Sequence, residues 1–322
     1  MNEIFFDVFW SGGFEVGINR ATNGEWECVG YSEIDKHAIK TYESHFPEHK
    51  NYGDATKINP GELPDFDILA GGFPCQSFSL AGKRKGFEDT RGTMFFEICR
   101  IIEHKRPSYL FLENVKGLLN HDEGKTFCTI LKCLDELGYN VQWQVLNSKH
   151  HTTQNRERVF IIGSLREKSF PRALPITKAN NCYVKAARNS PKKTFNCLTT
   201  RRPKSQTGVD PTWILDDKGF REPTPVEWER LQGFPDGWTE SMTLAKRYKQ
   251  MGNAVTVNVI EEIVKRLKIS FLESNPLPII SHGDSNSEKI ESQIIKTTVY
   301  NDKDNAFSMS TPKEVENKEI KL

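Results

Sequence analysis

The chain has 322 residues, 37% hydrophobic and 27% charged, with a net charge of +1. That balance describes an ordinary soluble protein and does not by itself announce a nucleic-acid binder. No apolar run approaches the ~18 residues that cross a bilayer, and the first residues lack the charged-then-apolar pattern of a secretion signal. Seven cysteines, with no close CxxC pair, point to a reducing, cytoplasmic compartment without a disulfide framework or a zinc-type cysteine spacing.

In chain order, strands are expected at 4–9, 27–32, 67–70, 109–113, 141–147 and 159–163. The first breaks into Ser11-Gly12-Gly13 and turns helical. Met94, Phe95, Ile98, Ile101 and Ile102 share one helical face, as do Phe127, Ile130, Leu131, Leu134 and Leu137, with Gly138 as the cap. Strand–helix alternation predicts a doubly wound, mostly parallel α/β sheet of the Rossmann-like kind. Over 164–222 the pattern gives way to prolines and scattered bases, a small inserted region. Helical periodicity returns at 225–232 and at Ile260, Ile263, Val264 and Leu267. The division is therefore 1–163, 164–222, 223–272 and a polar, disordered tail at 273–322. That tail holds nine acids and six bases, leaving +4 on residues 1–272.

Ligands of open parallel sheets bind at the carboxyl ends of the strands. Glycines after the first strand and an acid, Glu33, after the second match nucleoside binding, although the spacing is not GxGxxG. Cys75 follows Gly71-Gly72-Phe73-Pro74 directly after a strand and is the best nucleophile candidate. The other six cysteines, Cys99, Cys128 and Cys133 among them, read as buried structural thiols. Glu113 ends the apolar strand YLFLE, where desolvation should raise its pKa and let it donate a proton; alternatively it caps a following helix. Gln154, Arg156 and Arg158 alternate before VFIIG, which would place all three on one strand face. Lys83-Arg84-Lys85, Arg201-Arg202 with Lys204, and Lys246-Arg247 with Lys249 are basic clusters, each readable as a solvated face.

Taken in order, the blocks DVFWSGGF, SEIDKHA, GDATKI, GGFPCQSFSLAGKRKGFEDTRGTMFFEI, FLENVKGL, QNRERVFIIG, EPTPVEWERLQGFPDGW and YKQMGNAVTVNV resemble the DNA (cytosine-5) methyltransferases of bacterial restriction–modification systems. The resemblance implies a covalent adduct between Cys75 and carbon 6 of a flipped-out cytosine, with Glu113 protonating ring nitrogen 3. Arg158 would hold the ring oxygen, and Arg156 would support the loop and nearby phosphates. The methyl donor would be S-adenosyl-L-methionine, held by Phe9, Ser11, Gly12, Gly13, Glu33, Ile34, Asp54, Pro74, Met94, Asn253 and Val255. Double-stranded DNA would be the partner, met by Gln76, Ser79, Lys83, Arg84 and Lys85 on a mobile loop. Arg201, Arg202 and Lys204 would meet it from the recognition region. A cognate restriction endonuclease would belong to the same system without direct contact, and the enzyme would be a monomer without a metal.

Two departures from the family pattern stand out. The opening loop is one residue short, with Trp10 and Ser11 where a small residue and a glycine are usual, and the 164–222 recognition region is brief. Leu198-Thr199-Thr200 corresponds loosely to the family's Thr-Leu element. Alternatives to the active DNA enzyme are a DNA-binding homologue with a defective cofactor loop and an RNA cytosine methyltransferase.

Overall fold

A computed structural model describes residues 3–7, 12–74, 94–168, 173–174, 176, 197–198, 214–217 and 219–274. By its contacts the chain divides into Met1–Pro276 and Leu277–Leu322. The second unit, and with it nearly all of the expected tail, lies outside the described residues.

Six strands form one sheet in the order β2-β1-β3-β4-β6-β5: β1 (Glu3–Asp7), β2 (Glu27–Ser32), β3 (Ile68–Gly72), β4 (Tyr109–Val115), β5 (Tyr139–Asn147) and β6 (Glu157–Leu165). The β2–β1, β1–β3 and β3–β4 pairs are parallel; β6 runs antiparallel to both β4 and β5. The expected mostly parallel, doubly wound sheet is present. β4 runs two residues beyond its expected end, and β6 two residues beyond the expected range at each end, because their pairing with each other continues from Tyr109–Ser164 to Val115–Arg158. The first strand ends at Asp7, and the expected continuation to Phe9 lies outside the described residues.

Alternation along the strands sends successive side chains to opposite faces. Leu110 and Leu112 join Phe5, Leu69 and Ile161 on one face, under α3 (Met94–Lys105) and α4 (Lys125–Glu136). Phe111 joins Ile4, Ile68 and Ile162 on the other, under α1 (Gly13–Thr22) and α7 (Val257–Ser274). Both expected helical stripes point inward, and Gly138 takes the left-handed conformation (φ 89°) that follows the α4 cap. Cys99 and Cys133 are buried as expected, but Cys128 is exposed, because it falls between the buried positions of α4.

Three elements went unannounced by periodicity: α2 (Lys36–His45), α6 (Leu244–Asn253) and the hairpin β7 (Ile214–Asp216) with β8 (Gly219–Arg221). The expected helix at 225–232 is α5 (Pro225–Gln232), which starts with a Thr224–Glu227 capping box and a proline in its first turn. A third apolar cluster joins α5 and α6 through Trp228, Leu231, Tyr248 and Met251.

α1 carries a buried acid. Glu15 is 4% exposed, and desolvation raises its pKa from 4.5 to about 7. The folded chain thus holds a proton that the unfolded chain has lost. Its contribution to stability is complete below about pH 4.5 and is lost as pH rises to about 7. At 1.36 kcal/mol per unit the loss is about 3 kcal/mol. Urea unfolding in chelating buffer should show this decline, and Glu15→Gln should flatten it. An unchanged pH profile in the variant would refute the assignment.

Candidate active site

The carboxyl ends of β3 and β4 and the start of β6 meet at one point. Glu113 pairs with Phe160 in the β4–β6 register, which places Arg158 two residues away on the same face. Arg158 Nε lies 2.9 Å from Glu113 Oε1, an ion-pair distance, although the N–H is not aimed well enough to satisfy that oxygen as a hydrogen bond. Glu113 is 2% exposed, and burial pushes its carboxyl up while Arg158 and Arg156 pull it down. Desolvation wins. The alternative reading of Glu113 as a helix cap fails, because the following 3₁₀ segment is capped by Val115.

Asn114, the next residue, is buried and donates from Nδ2 to the Phe73 carbonyl at 2.8 Å. This bond fixes the backbone at Phe73 and Pro74, the last described residues before Cys75. Cys75 itself lies outside the described residues, as do Gln76, Ser79, Lys83, Arg84 and Lys85 of the expected DNA loop. Phe9 and Ser11 of the cofactor loop, with Trp10, and Arg201, Arg202 and Lys204 of the recognition region lie outside them too.

The expectation that Gln154, Arg156 and Arg158 share a strand face needs correction. β6 begins at Glu157, so Gln154 and Arg156 sit in the connection before it. Arg156 is 1% exposed; its Nη1 donates to Gly252 O (3.1 Å), Leu198 O (3.3 Å) and Cys197 Sγ (3.4 Å). That side chain supports loops from within and presents nothing to a phosphate. Gln154 accepts from Leu198 N and donates to Leu231 O and Gln232 Oε1. Gln232 in turn donates to Met251 O and Ala254 O and accepts from Thr256. These buried amides knit the 147–156 connection, residues 197–198, α5 and the α6–α7 junction together.

The second edge of the site follows β1 and β2. Gly12 caps α1 in the left-handed region (φ 84°), which glycine adopts without penalty. A Cβ on Gly13 would stand 2.7 Å from Val255 Cγ2, so the two expected cofactor residues are already in close contact. Glu33 is buried, and its Oε1 accepts from the amides of Ile34 (2.7 Å) and Asp35 (2.8 Å); desolvation raises its pKa. Ile34, directly beside it, is 63% exposed and so is open to contact from solvent or ligand. Asn51 clamps the Glu33 backbone and the Gly53 amide, which brings Asp54 alongside. Asp54 Oδ1 accepts from Thr56, whose hydroxyl and amide hold the carboxyl below its usual range. Met94 opens α3 and packs on the core, and Asn253 ends α6.

Gly13→Ala should strain this contact by about 1–3 kcal/mol and weaken S-adenosylmethionine binding by tenfold or more in calorimetry. Unaltered affinity would remove Gly13 from the site. Sequence reading named Gln154 without its partners and left Asn114, Gln232 and Thr256 unassigned. Their signal was polarity at positions flanked by apolar runs, which becomes specific only when packing closes around it.

A doubly wound α/β enzyme that holds a nucleoside beside a buried carboxylic acid is the class this arrangement defines. Comparison with known proteins narrows it. The model of the C-5 cytosine-specific DNA methylase family matches residues 5–195 and 176–269. The Type II methyltransferase M1.ScrFI of Lactococcus lactis subsp. cremoris is 37% identical over 295 residues, 80% of this chain and 75% of its own. M.HpaII of Haemophilus parainfluenzae is 36% identical over 320 residues, 82% of this chain and 88% of its own. Among solved structures, the S. pombe Dnmt2 methyltransferase superposes with a TM-score of 0.64 at 19% identity, over 86% of this chain and all of that one, a likeness of fold. The chain belongs to the C-5 cytosine-specific DNA methylase family. It is a DNA cytosine-5 methyltransferase whose methyl donor is S-adenosylmethionine.

Proposed function

We propose that the chain methylates cytosine within a short double-stranded DNA sequence, as the modification enzyme of a restriction–modification system. The observation that carries the residue roles is the buried Glu113–Arg158 pair, one strand away from the segment that leads into Cys75. Cys75 forms the bond to carbon 6 of the flipped cytosine. Glu113, whose burial favours the protonated carboxyl, donates to ring nitrogen 3 as charge develops there, and Arg158 orients the ring from its oxygen. Arg156 and Gln154 hold the loops that lead into β6, the strand that carries Arg158. When bound, S-adenosylmethionine supplies an electrophilic methyl group. Buried Glu33, exposed Ile34, Asp54 and the Gly12–Gly13 turn fit its ribose, adenine and methionine parts. After transfer, loss of the carbon-5 proton lets Cys75 leave.

Residues 164–222 form the target-recognition region, between catalytic segments 1–163 and 223–272, and 273–322 is a polar tail. The relatives named as Type II methyltransferases favour the restriction–modification setting. In that setting we read the chain as a cytoplasmic monomer, with a cognate endonuclease that acts separately on the same DNA sequence. Among the described residues no helix is long and apolar enough to cross a membrane.

Expression in a host lacking cytosine methylation, followed by bisulfite sequencing of the plasmid, should reveal one methylated sequence. The plasmid should gain protection from an endonuclease that cuts there. Unmodified DNA from cells that contain the folded protein would overturn the proposal. Methylation confined to transfer RNA would favour the RNA enzyme instead.

A further inference from the structure

Away from the active site, three chemically different ligand groups meet behind the first turn of α1. A carboxylate oxygen of Glu15, Sγ of Cys28 on β2 and a ring nitrogen of His49 all lie within 4.8 Å of one another. The Tyr42 hydroxyl from α2 stands among them, 3.3 Å from Glu15 Oε2, 2.9 Å from His49 Nδ1 and 3.8 Å from Cys28 Sγ. Glu15 is buried, and His49 is half-buried at the rim. The groups that bear on the Glu15 carboxyl are Tyr42, Asn19 and Cys28, none of them cationic. Two acids thus share a dry site without a positive partner, the arrangement a bound cation relieves.

We propose that Glu15, Cys28 and His49 bind one divalent ion of the zinc class, with the Tyr42 hydroxyl at the fourth position. The mixed oxygen, nitrogen and sulfur donors suit borderline-soft Zn²⁺ or Co²⁺ and not Mg²⁺ or Ca²⁺. Metal–ligand bonds of about 2.0–2.3 Å set the corners of a tetrahedron about 3.5 Å apart. The present spacing, at most 4.8 Å, therefore has to contract by no more than about 1.3 Å. Binding is a balanced exchange: one M²⁺ enters, and the Glu15 carboxyl and Cys28 thiol each release a proton, so the net charge does not change. The neutral His49 that ligation needs is favoured by its own desolvation.

The consequence reaches the cofactor edge through the backbone. Glu15 lies two residues after Gly13, and His49 lies two residues before Asn51, which clamps Glu33. A metal here ties α1, β2 and the segment after α2 into one unit beneath the nucleoside site.

Purified full-length protein, stripped with chelator and then equilibrated with ZnCl₂ and desalted, should retain one zinc per chain by elemental analysis. Loading with CoCl₂ instead should give visible d–d bands and a thiolate-to-cobalt charge-transfer band. Cys28→Ser and His49→Gln should each lose the retained equivalent, and Cys28→Ser should lose the charge-transfer band while keeping the wild-type circular dichroism. Zinc should raise the thermal midpoint of the wild type and leave that of Glu15→Gln unmoved. Absence of retained metal in the wild type, or a cobalt–thiolate band that persists in folded Cys28→Ser, would overturn the proposal. The readouts are independent of methyl transfer, so a failure here is separable from a failure of the assigned activity.

Discussion

Glu113→Gln should lower the rate of methyl transfer by about 10²–10³-fold, within the range general acids contribute, while S-adenosylmethionine affinity stays within a factor of two. The amide keeps the shape of the carboxyl and its oxygen can still face Arg158, so the packing of the site is largely spared. What it cannot do is give up a proton to ring nitrogen 3. The pH profile separates this role from a structural one. Because burial raises the Glu113 pKa above its usual value, the wild-type rate should fall as pH climbs through that raised pKa and the carboxyl loses its proton. The variant should lack this descending limb. Single-turnover transfer of labelled methyl groups, measured across pH, is the deciding experiment. A variant with the wild-type rate, or with the same alkaline decline, would remove Glu113 from the proton transfer.

The second large effect concerns stability. Arg156→Ala should destabilise the protein by about 3–5 kcal/mol, the range of a buried charged anchor lost with its packing. The 1% exposed side chain holds the Gly252 and Leu198 carbonyls. Deleting it strands both acceptors, at about 1–3 kcal/mol each, and opens a cavity that neighbouring backbone can fill only in part. Burial draws its pKa down to about 10, so it remains a cation at neutral pH and its charge still lowers the Glu113 pKa. Urea titration gives the change directly from the midpoint at constant slope. A loss below about 1 kcal/mol would mean that the 197–198 segment is held by Gln154 alone. Arg156→Lys should fall in between, because the ammonium keeps a buried charge and donors but not the shape and reach of the guanidinium that fills this site.

The sheet was legible because its strands are apolar runs of the right length, and the two helices on one face because their stripes repeat every three or four residues. α6 was not legible, for a physical reason: its sequence LAKRYKQMGN is mostly polar, and Tyr248 and Met251 suffice to seat it. Its basic cluster looked like solvated surface until Arg247 was seen on buried Glu229 and Lys249 on Asp35. At the site, Glu113 could be read from the apolar strand before it. The place of Arg156 could not, since alternation suggested a strand where the chain had not yet entered one. Register decided the rest. The Glu113–Arg158 pair exists because β6 inserts antiparallel between β4 and β5, and no local signal predicts that reversal.

The contact between Gly13 and Val255 has a further consequence, which concerns how the enzyme is made. Residues 12–13 leave the ribosome about 240 residues before Val255, the floor they rest on, which comes from the other end of the catalytic body. α1 stays without its α7 partner until about Leu267 has been synthesised. Throughout most of translation, then, the nascent chain exposes the apolar side of α1 and has no finished cofactor turn. Methyl-donor affinity should arrive abruptly, with α7, and a chain stalled before α7 should bind none.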